Sequence, residues 1–531
     1  MLHERLERRV GHPGIRQKRI QKKLMLRLQR REVIQGHMRR RPISSFVLGH
    51  DRPPSCQTIQ PHATHLSRRK RETIHTRRAM HVLGFILRGS FIWLVAWWAL
   101  LTYAAQAIAI GVTCSASKRK AALAALRGRT LRRAFETLGA TFIKLGQVMS
   151  TRPDLFEPEL IRELRYLQDR LPSFASARAI VLRELNAPLD QHFTEFDESP
   201  IAAASVAQVH RAVLLDGSEV AVKVLRPDVR QKAERDGRIL RFWAGLLELV
   251  SRRARHARLR EHLAHFVSGI LEQTDLRIEA RNYERFRKNF RRVKKVHFPH
   301  VYAELSGERV MTMEFVRGQK IDAIPREALP SGFPQHLREV FLQMCFDDGF
   351  LHADLHPGNF VVAPDGTLTI FDVGLVKELK GELLEHFIDF NRCIVMGEVE
   401  DFMQHMRTYH RYVEGTVDWT ELEKDVERFA ATFRGMSTKE LEFGKLIEEI
   451  FAVGRKHGLH PIPEMTLMMV GLVTAEGIGK QLEPDINSFQ EVANYLVPIL
   501  ARRNMLSGKV MQAAAVMSER MLRTADATSS H

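Results

Sequence analysis

The stretch LHADLHPGNFVV, residues 351–362, concentrates side chains that could do chemistry. It places Asp354 five residues before Asn359, and the apolar run TIFDVGLV carries Asp372 thirteen residues beyond Asn359. In phosphoryl transfer one aspartate orients or deprotonates the acceptor, while an asparagine and a second aspartate hold Mg²⁺ against the nucleotide phosphates. The three residues together therefore predict a kinase-like phosphoryl-transfer site.

Two other interpretations of this stretch are weaker. His352 and His356 have the i, i+4 spacing of zinc ligands on a helix, but a Pro-Gly pair interrupts a helix there and no third ligand follows at a suitable spacing. A plain turn explains the Pro-Gly pair and leaves the aspartate and the asparagine without a role.

An upstream run, SEVAVKVLRP, has the alternation of a β-strand and carries Lys223 among its valines. In kinases a lysine in such a strand contacts the α- and β-phosphates of the nucleotide. The Asp-Gly pair in VLLDGSEV predicts a hairpin before this strand. A lysine on the polar face of a strand is usually only solvated, but its position ahead of the two aspartate motifs favours the nucleotide-binding interpretation.

These motifs as a set resemble those of the UbiB family, also called AarF or ADCK, of atypical protein-kinase-like proteins. The resemblance extends over roughly residues 120–490 and includes FIKLGQ, IAAASVAQVHRA in the place of a glycine-rich loop, TDLRIEARNYERF after the lysine, and MEFVRG as a hinge. It implies an α+β, bilobal protein-kinase-like fold with an N-terminal helical KxGQ extension, and ATP and Mg²⁺ as cofactors.

The resemblance also implies a role for each matching residue. Asp354 would be the catalytic aspartate, Lys223 would contact the nucleotide and pair with Glu279, and Asn359 and Asp372 would bind Mg²⁺. The other ATP-binding positions would be those of the alanine-rich loop and the hinge: Ala202, Ala203, Ala204, Ser205, Met313, Glu314, Phe315 and Val316. The KxGQ motif, whose helices are thought to lie across the site and exclude protein substrates, corresponds to Lys144, Gly146 and Gln147.

Three features set the chain apart from protein kinases or from the family pattern. The alanines carry Cβ atoms where protein kinases have glycines, so nucleotide handling should differ. The separation of 56 residues between Lys223 and Glu279 predicts an inserted helical segment. The acidic E-x-D pattern of the family reads here Gln273-Thr274-Asp275, which puts one acidic role in doubt.

The segment from Gly89 to Ser117 contains no charged residue. As a helix its 29 residues would rise roughly 43 Å, which exceeds a hydrocarbon core of about 30 Å, so we predict a transmembrane helix. A buried core helix is the alternative. Basic residues flank both ends, so the orientation is undecided. A cytoplasmic, ATP-using body would place the basic N-terminal segment outside, against the positive-inside rule. A hairpin, an interfacial insertion or the absence of residues 1–79 would each remove this conflict.

The net charge of +19 is concentrated at the N-terminus. Residues 1–80 hold 21 Lys/Arg and 5 Asp/Glu, whereas the remainder holds 60 and 57. We therefore predict no nucleic-acid partner for the body, and take the basic run FRKNFRRVKKVHF as a solvated or membrane-adjacent face. The first segment is predicted to be disordered or to precede a true start at Met80, with a basic arm for a membrane surface or nucleic acid as the alternative. The four scattered cysteines suit a reducing compartment.

The predicted organisation is a basic segment (1–80), a transmembrane segment (81–117), the KxGQ extension (118–172), a kinase-like N-lobe with a helical insert (173–320), a C-lobe (321–500) and a tail (501–531). The predicted protein is a membrane-associated atypical kinase or ATPase at the inner or cytoplasmic membrane, with the kinase-like domain on the ATP-containing side. By resemblance it would support ubiquinone (isoprenoid quinone) biosynthesis or lipid handling. Its partners would be a membrane lipid or quinone precursor, together with quinone-biosynthesis proteins.

Two alternatives come from other classes. Small-molecule kinases of the aminoglycoside or choline type share an H-x-D-x-x-x-x-N loop but do not account for KLGQ or AAAS. A nucleotide-binding pseudokinase scaffold is opposed by the intact lysine, asparagine and aspartates, although Gln273 leaves it open. The sequence identifies neither the phosphoryl acceptor nor the oligomeric state.

Overall fold

The computed structural model describes residues 64–150, 156–167, 173–251, 255, 259–412, 414–434, 442–503 and 505. The predictions for residues 1–63, and for nearly all of the tail, lie outside these residues. The first described element is helix α1 (Thr64–Thr113), so the segment expected to be irregular up to residue 80 is helical from Thr64. The apolar helix ends at Thr113, before the expected end at Ser117, because the chain turns at Cys114 and Ser115 and the next helix begins at Ala116.

A helical extension follows α1. It comprises α2 (Ala116–Leu138), α3 (Ala140–Ser150) and α4 (Pro158–Leu164). The extension shares one apolar cluster with the first two of the helices inserted into the N-lobe, and this cluster includes Phe135, Phe142 and Phe266. Gly146 belongs to this packing, because a Cβ there would lie 2.2 Å from Leu167 Cδ1 and 2.7 Å from the Phe135 ring.

The N-lobe begins with helix α5 (Ala177–Leu185) and is built on an antiparallel sheet in the order β1-β3-β4-β7-β6, with β2 paired to β3. The first four strands are β1 (Phe193–Phe196), β2 (Ala202–Ala203), β3 (Ala207–Leu214) and β4 (Glu219–Leu225). The Asp-Gly hairpin predicted between β3 and β4 is confirmed, and Gly217 adopts φ +84° in it.

The insert predicted from the lysine-to-glutamate spacing is present as three helices after β4. They are α6 (Val229–Val250), α7 (Leu259–Glu272) and α8 (Leu276–Asn289). The chain then completes the N-lobe sheet and begins the smaller sheet with β5 (Val296–His297), β6 (Val301–Tyr302), β7 (Val310–Glu314) and β8 (Gln319–Lys320). Strands β6 and β7 belong to the large sheet, whereas β5 and β8 pair with later strands.

The C-lobe is largely helical. Its short strands are β9 (Phe350–His352), β10 (Phe360–Val362), β11 (Leu368–Ile370), β12 (Val376–Glu378), β13 (His410–Arg411) and β14 (His460–Pro461). Its helices are α9 (Phe333–Leu342), α10 (Glu382–Met396), α11 (Val399–Tyr409), α12 (Trp419–Arg434), α13 (Phe443–Lys456), α14 (Pro463–Leu482) and α15 (Ser488–Arg502). A large apolar core fills this lobe and includes Met465, Met468 and Met469 of α14.

Candidate functional site

The site is centred on Lys223, which the N-lobe sheet presents from strand β4. Its Nζ lies 2.8 and 2.9 Å from the two carboxylate oxygens of Glu279, and 2.7 Å from Oδ1 of Asp372. Val222 and Val224 are fully buried, so the pleat of the strand places Lys223 on the other face. The structure therefore brings together the lysine, the helix glutamate and the second aspartate motif.

Helix α8 holds Glu279 because one of its faces is buried. Leu276, Glu279, Tyr283 and Phe286 recur at helical spacing, and all four are almost fully buried. Asp275 accepts a hydrogen bond from the Arg277 amide and caps the start of this helix. The aspartate of the altered Gln-Thr-Asp sequence thus has a structural contact of its own.

The turn that carries Asp372 is fixed from the same helix. Asp372 adopts φ +54°, in the left-handed region, and its amide donates to the Tyr283 hydroxyl oxygen at 3.0 Å. Asn282 donates from Nδ2 to the Val373 carbonyl at 2.8 Å. Asn282 and Tyr283 were not among the predicted site residues, although their positions three and four residues after Glu279 put them on the same side of the helix.

The loop that carries Asp354 and Asn359 is tied together by a buried histidine. The Phe371 carbonyl can only accept, so His352 must donate from Nε2 at 3.0 Å, and its Nδ1 then accepts from the Asp354 amide at 3.1 Å. Asn359 donates from Nδ2 to the Asp354 carbonyl at 3.0 Å. Since both ring nitrogens of His352 are occupied, the geometry does not support the zinc interpretation.

The electrostatics of the site favour ionised side chains at its centre. Burial disfavours the charged form of Lys223, but the carboxylates of Asp372 and Glu279 outweigh it and raise the pKa of the lysine. The ammonium of Lys223 in turn holds the pKa of Asp372 well below its usual range. Glu279 differs, because its own burial raises its pKa and the lysine offsets only part of that effect.

The KxGQ motif reaches this site through Lys144. This lysine is only 6% exposed. Its positive charge helps to lower the pKa of Asp372 and offsets a part of the effect by which burial raises the pKa of Glu279. Gln147 donates from Nε2 to the Leu167 carbonyl at 3.3 Å, so it holds the extension together. Of the three predicted residues, Lys144 acts on the site, whereas Gly146 and Gln147 serve the packing of the extension.

The alanine-rich loop lies two strands away from the lysine in the same sheet. Val209 of β3 pairs with Ala202 on one side and with Lys223 on the other. The Ala204 amide donates to the Ala207 carbonyl at 2.8 Å, and Ser205 is fully buried with an unpaired hydroxyl. Arg226, just after β4, also donates from Nε to the Ala204 carbonyl at 2.9 Å, so the loop is held by its own contacts and by this arginine.

The hinge residues leave the large sheet at the end of β7. The Glu314 amide donates to the His300 carbonyl at 2.8 Å, and the Phe315 amide donates to the Glu219 carbonyl at 3.2 Å. Met313 is buried in the core. Since the two amides are engaged within the protein, adenine recognition by the hinge would depend on carbonyl groups or on Val316.

Known protein families match the chain and agree with this kinase-like arrangement. The ABC1 atypical kinase-like domain matches residues 166–406, and the UbiB helical domain matches residues 426–487. Proteins named "Probable protein kinase UbiB" are similar over most of the chain. The one from Aliivibrio fischeri (strain MJ11) is 33% identical over 400 residues, 71% of each chain, and the one from Aeromonas salmonicida (strain A449) is 34% identical over 394 residues, 70% of each chain.

Among solved structures, a Mycobacterium tuberculosis protein in complex with erythromycin is 21% identical to this chain. The match covers 66% of this chain and 90% of that one, with a TM-score of 0.47.

Proposed function

The chain belongs to the ABC1/UbiB family of atypical kinase-like proteins, and on this premise we propose that it is a membrane-associated, Mg²⁺-dependent ATPase or phosphotransferase. The contact of Lys223 with both Glu279 and Asp372 carries the proposal. It joins the strand, the helix and the Asp372 loop of a kinase-like cleft, and it leaves the Asp372 side chain 44% exposed.

The residues expected to hold Mg²⁺ have suitable donor atoms. Asp372 offers an ionised carboxylate, because Lys223 lowers its pKa. Asn359 uses its Nδ2 as a donor to the Asp354 carbonyl, which leaves Oδ1 as an acceptor. Hard oxygen donors of this kind fit Mg²⁺, which would neutralise charge on the nucleotide phosphates.

The remaining residues would bind and position the reactants. Lys223 would exchange its contact with Asp372 for the α- and β-phosphates while keeping Glu279 as its partner. Asp354 would orient the attacking water or hydroxyl group and accept its proton. Hydrogen bonds of its backbone amide to His352 and of its carbonyl to Asn359 hold the residue in position. Positioning and charge stabilisation would supply most of the rate.

We further propose that this activity supports ubiquinone biosynthesis, with a membrane lipid or quinone precursor as the molecule acted on and quinone-biosynthesis proteins as partners. The names of the relatives and the apolar helix α1 support this proposal. Residues 83–113 of α1 are long and apolar enough, by length and composition, to cross a membrane. The kinase-like domain would lie on the ATP-containing side of the inner or cytoplasmic membrane.

The test is ATP hydrolysis by the full chain, measured as phosphate release with and without Mg²⁺, anionic vesicles and an alkylphenol. We expect Mg²⁺-dependent turnover that falls roughly 100-fold or more in Asp354→Asn. The matched control is Asp485→Asn, at an exposed aspartate in the turn between α14 and α15, which should leave turnover unchanged. Nucleotide binding without turnover under every condition would instead support the scaffold alternative.

A further inference from the structure

Helix α1 has one face against the body of the protein. Ile92 and Val95 are 8% and 7% exposed and belong to the apolar cluster of the helical extension, with Ala99 packed against the same cluster. Arg88 lies on this face as well and forms a salt bridge with Asp236 of α6 at 2.9 Å. Because Asp236 is only 2% exposed, this contact fixes the apolar helix to the N-lobe insert.

The opposite face of α1 is apolar and exposed. Eight large side chains on it, which we name the apolar stripe, are each at least 50% exposed: Leu83, Ile86, Leu87, Leu94, Trp97, Leu101, Ile108 and Val112. Their spacing follows the helical repeat, so they form one continuous line about 43 Å long. Trp93 and Trp98 flank this line and are also about half exposed.

Helix α2 must run back along α1. Only Cys114 and Ser115 separate the two helices, and at the far end Arg88 donates from Nη2 to the Leu138 carbonyl at 2.8 Å. From Arg88 to the end of α1 the rise is about 38 Å, and over the length of α2 it is about 33 Å. Two helices of nearly equal length whose ends lie close together at both ends run antiparallel.

This hairpin conflicts with a membrane-spanning α1. Helix α2 carries seven cationic residues, which are Lys118, Arg119, Lys120, Arg127, Arg129, Arg132 and Arg133. Arg127 and Arg129 lie near its middle and pair with Glu157 and Glu163 of the extension. If α1 crossed the bilayer, these charged groups would be carried to hydrocarbon depth, which is strongly unfavourable.

The apolar stripe continues onto the N-lobe insert. The last two turns of α6 expose six large apolar side chains: Phe242, Trp243, Leu246, Leu247, Leu249 and Val250. A crevice of about 510 Å³ lies between the two helices and is lined by Phe85 and Trp93 of α1 and by Phe242 and Trp243 of α6. The stripe and the exposed end of α6 therefore form one surface, which we name the apolar platform.

We propose that the apolar platform lies flat in the interface of an anionic bilayer, with α1 parallel to the membrane plane instead of spanning it. Exposed cations beside the platform, namely Arg238, Arg241, Lys118 and Lys120, complement anionic headgroups. Four of the five tryptophans lie on the platform or flank it, and tryptophan favours the interfacial zone. The inference rests on the membrane association proposed above and is independent of the ATP chemistry.

The depth of two positions along α1 distinguishes the two arrangements. One variant keeps Trp98 alone, with Phe at the other four tryptophan positions. A second has Phe at all five positions together with Ile108→Trp. Both are reconstituted by detergent removal into phosphatidylcholine/phosphatidylglycerol vesicles whose acyl chains are brominated at shallow or deep carbons, and tryptophan quenching is measured.

We expect both variants to be quenched equally and most strongly by the shallow bromines. A spanning helix would separate the two positions by about 15 Å in depth, and such a difference would overturn the inference while leaving membrane association intact. Absence of quenching at every depth would overturn the membrane association itself. Concentration-dependent self-association in that case would indicate that a second copy of the chain covers the platform.

Introducing negative charges provides an independent test of the same surface. Leu94→Glu/Leu101→Glu places two carboxylates on the stripe, whereas Gln106→Glu adds one on the side of α1 that carries Ala99. We expect the first variant to lose at least tenfold in vesicle binding and the second less than threefold, with unchanged helix content by circular dichroism. Equal losses in the two variants would overturn the role of the stripe.

Discussion

Two buried ion pairs fix helices to the N-lobe, and they differ in how completely they are closed. Arg88 and Asp236 form a one-to-one pair, and the arginine also donates to the Leu138 carbonyl. Lys223 instead divides its ammonium between Glu279 and Asp372. The Asp236 side chain is 2% exposed, whereas that of Asp372 is 44% exposed.

The difference separates a structural pair from a site that can accept a ligand. A closed pair has its charges neutralised by fixed partners, so removing one partner leaves a buried charge uncompensated. An open pair can exchange one of its contacts for a phosphate or a cation, because one carboxylate stays accessible. The left-handed turn at Asp372 and its bond to Tyr283 keep that carboxylate in place while it does so.

The largest expected effect is on catalysis, at the open pair. Lys223→Met removes the cation shared by the two carboxylates and the group expected to bind the phosphates, so turnover should fall roughly 10²- to 10³-fold. Steady-state ATP hydrolysis at saturating Mg²⁺ measures this loss. Lys320→Met, which changes an exposed lysine of β8, is the matched control and should stay within twofold of the native rate.

The next effect is on stability, at the closed pair. Arg88→Met leaves the Asp236 carboxylate buried and unpaired, so the free energy of unfolding should fall by about 3–5 kcal/mol. Urea titration followed by circular dichroism measures it. Arg88→Met/Asp236→Leu should recover most of the loss, because no charge then remains buried. A loss below about 1 kcal/mol in the single variant would mean that the pair does not fix α1.

A buried histidine cluster in the C-lobe extends the comparison to groups without a permanent charge. His386 Nδ1 lies 2.6 Å from His405 Nδ1, and His405 Nε2 lies 2.7 Å from Asp389 Oδ2. Burial, with a smaller contribution from His405, lowers the pKa of His386 to about 2. The folded state therefore keeps this imidazole neutral at pH values where the unfolded chain protonates it.

Stability should consequently decrease as the pH falls below the ordinary histidine pKa of about 6.5. Because the unfolded state binds the extra proton, His386 alone should cost about 2 kcal/mol between pH 7.5 and pH 5. Urea midpoints across this range measure the slope, and His386→Asn should reduce it. An unchanged slope in the variant would show that other groups dominate the acid sensitivity.

The smallest effect is expected at Ser205. Its hydroxyl is buried without a partner, so Ser205→Ala removes an unpaired polar atom and should raise the free energy of unfolding by up to about 1 kcal/mol. Ser199→Ala, at an exposed serine on the other side of β2, is a control for the loss of the hydroxyl group. A destabilisation of Ser205→Ala by more than about 1 kcal/mol would indicate a hydrogen bond that the structure does not contain.

Much of the site could be predicted because its residues lie in local patterns. Lys223 alternates with valines in a strand, Glu279 begins an amphipathic helix, and Asp354 and Asn359 share one short loop. Their mutual contacts follow from the order of these elements in a kinase-like fold. The bonds of Tyr283 to Asp372 and of His352 to Phe371 were not predicted, because each joins segments that are separated in sequence.

The apolar helix shows where local sequence is insufficient. Hydropathy measures α1 alone, so 29 uncharged residues predict a transmembrane helix whatever lies beside them. The structure adds α2, whose cations run along the same length, and the buried partner of Arg88. The one signal available in the sequence was the conflict between the basic flanks of α1 and the positive-inside rule.

If the open pair is a metal–nucleotide site, it should bind Mn²⁺ in the presence of a nucleotide. Mn²⁺ is added in the presence of a non-hydrolysable ATP analogue, and the free ion is measured by electron paramagnetic resonance in the native chain, in Asp372→Asn and in the control Asp485→Asn. We predict nucleotide-dependent Mn²⁺ binding in the native chain and in the control, and at least a tenfold weaker affinity in Asp372→Asn. Equal affinities in all three proteins would contradict the assignment of Asp372 as a metal ligand.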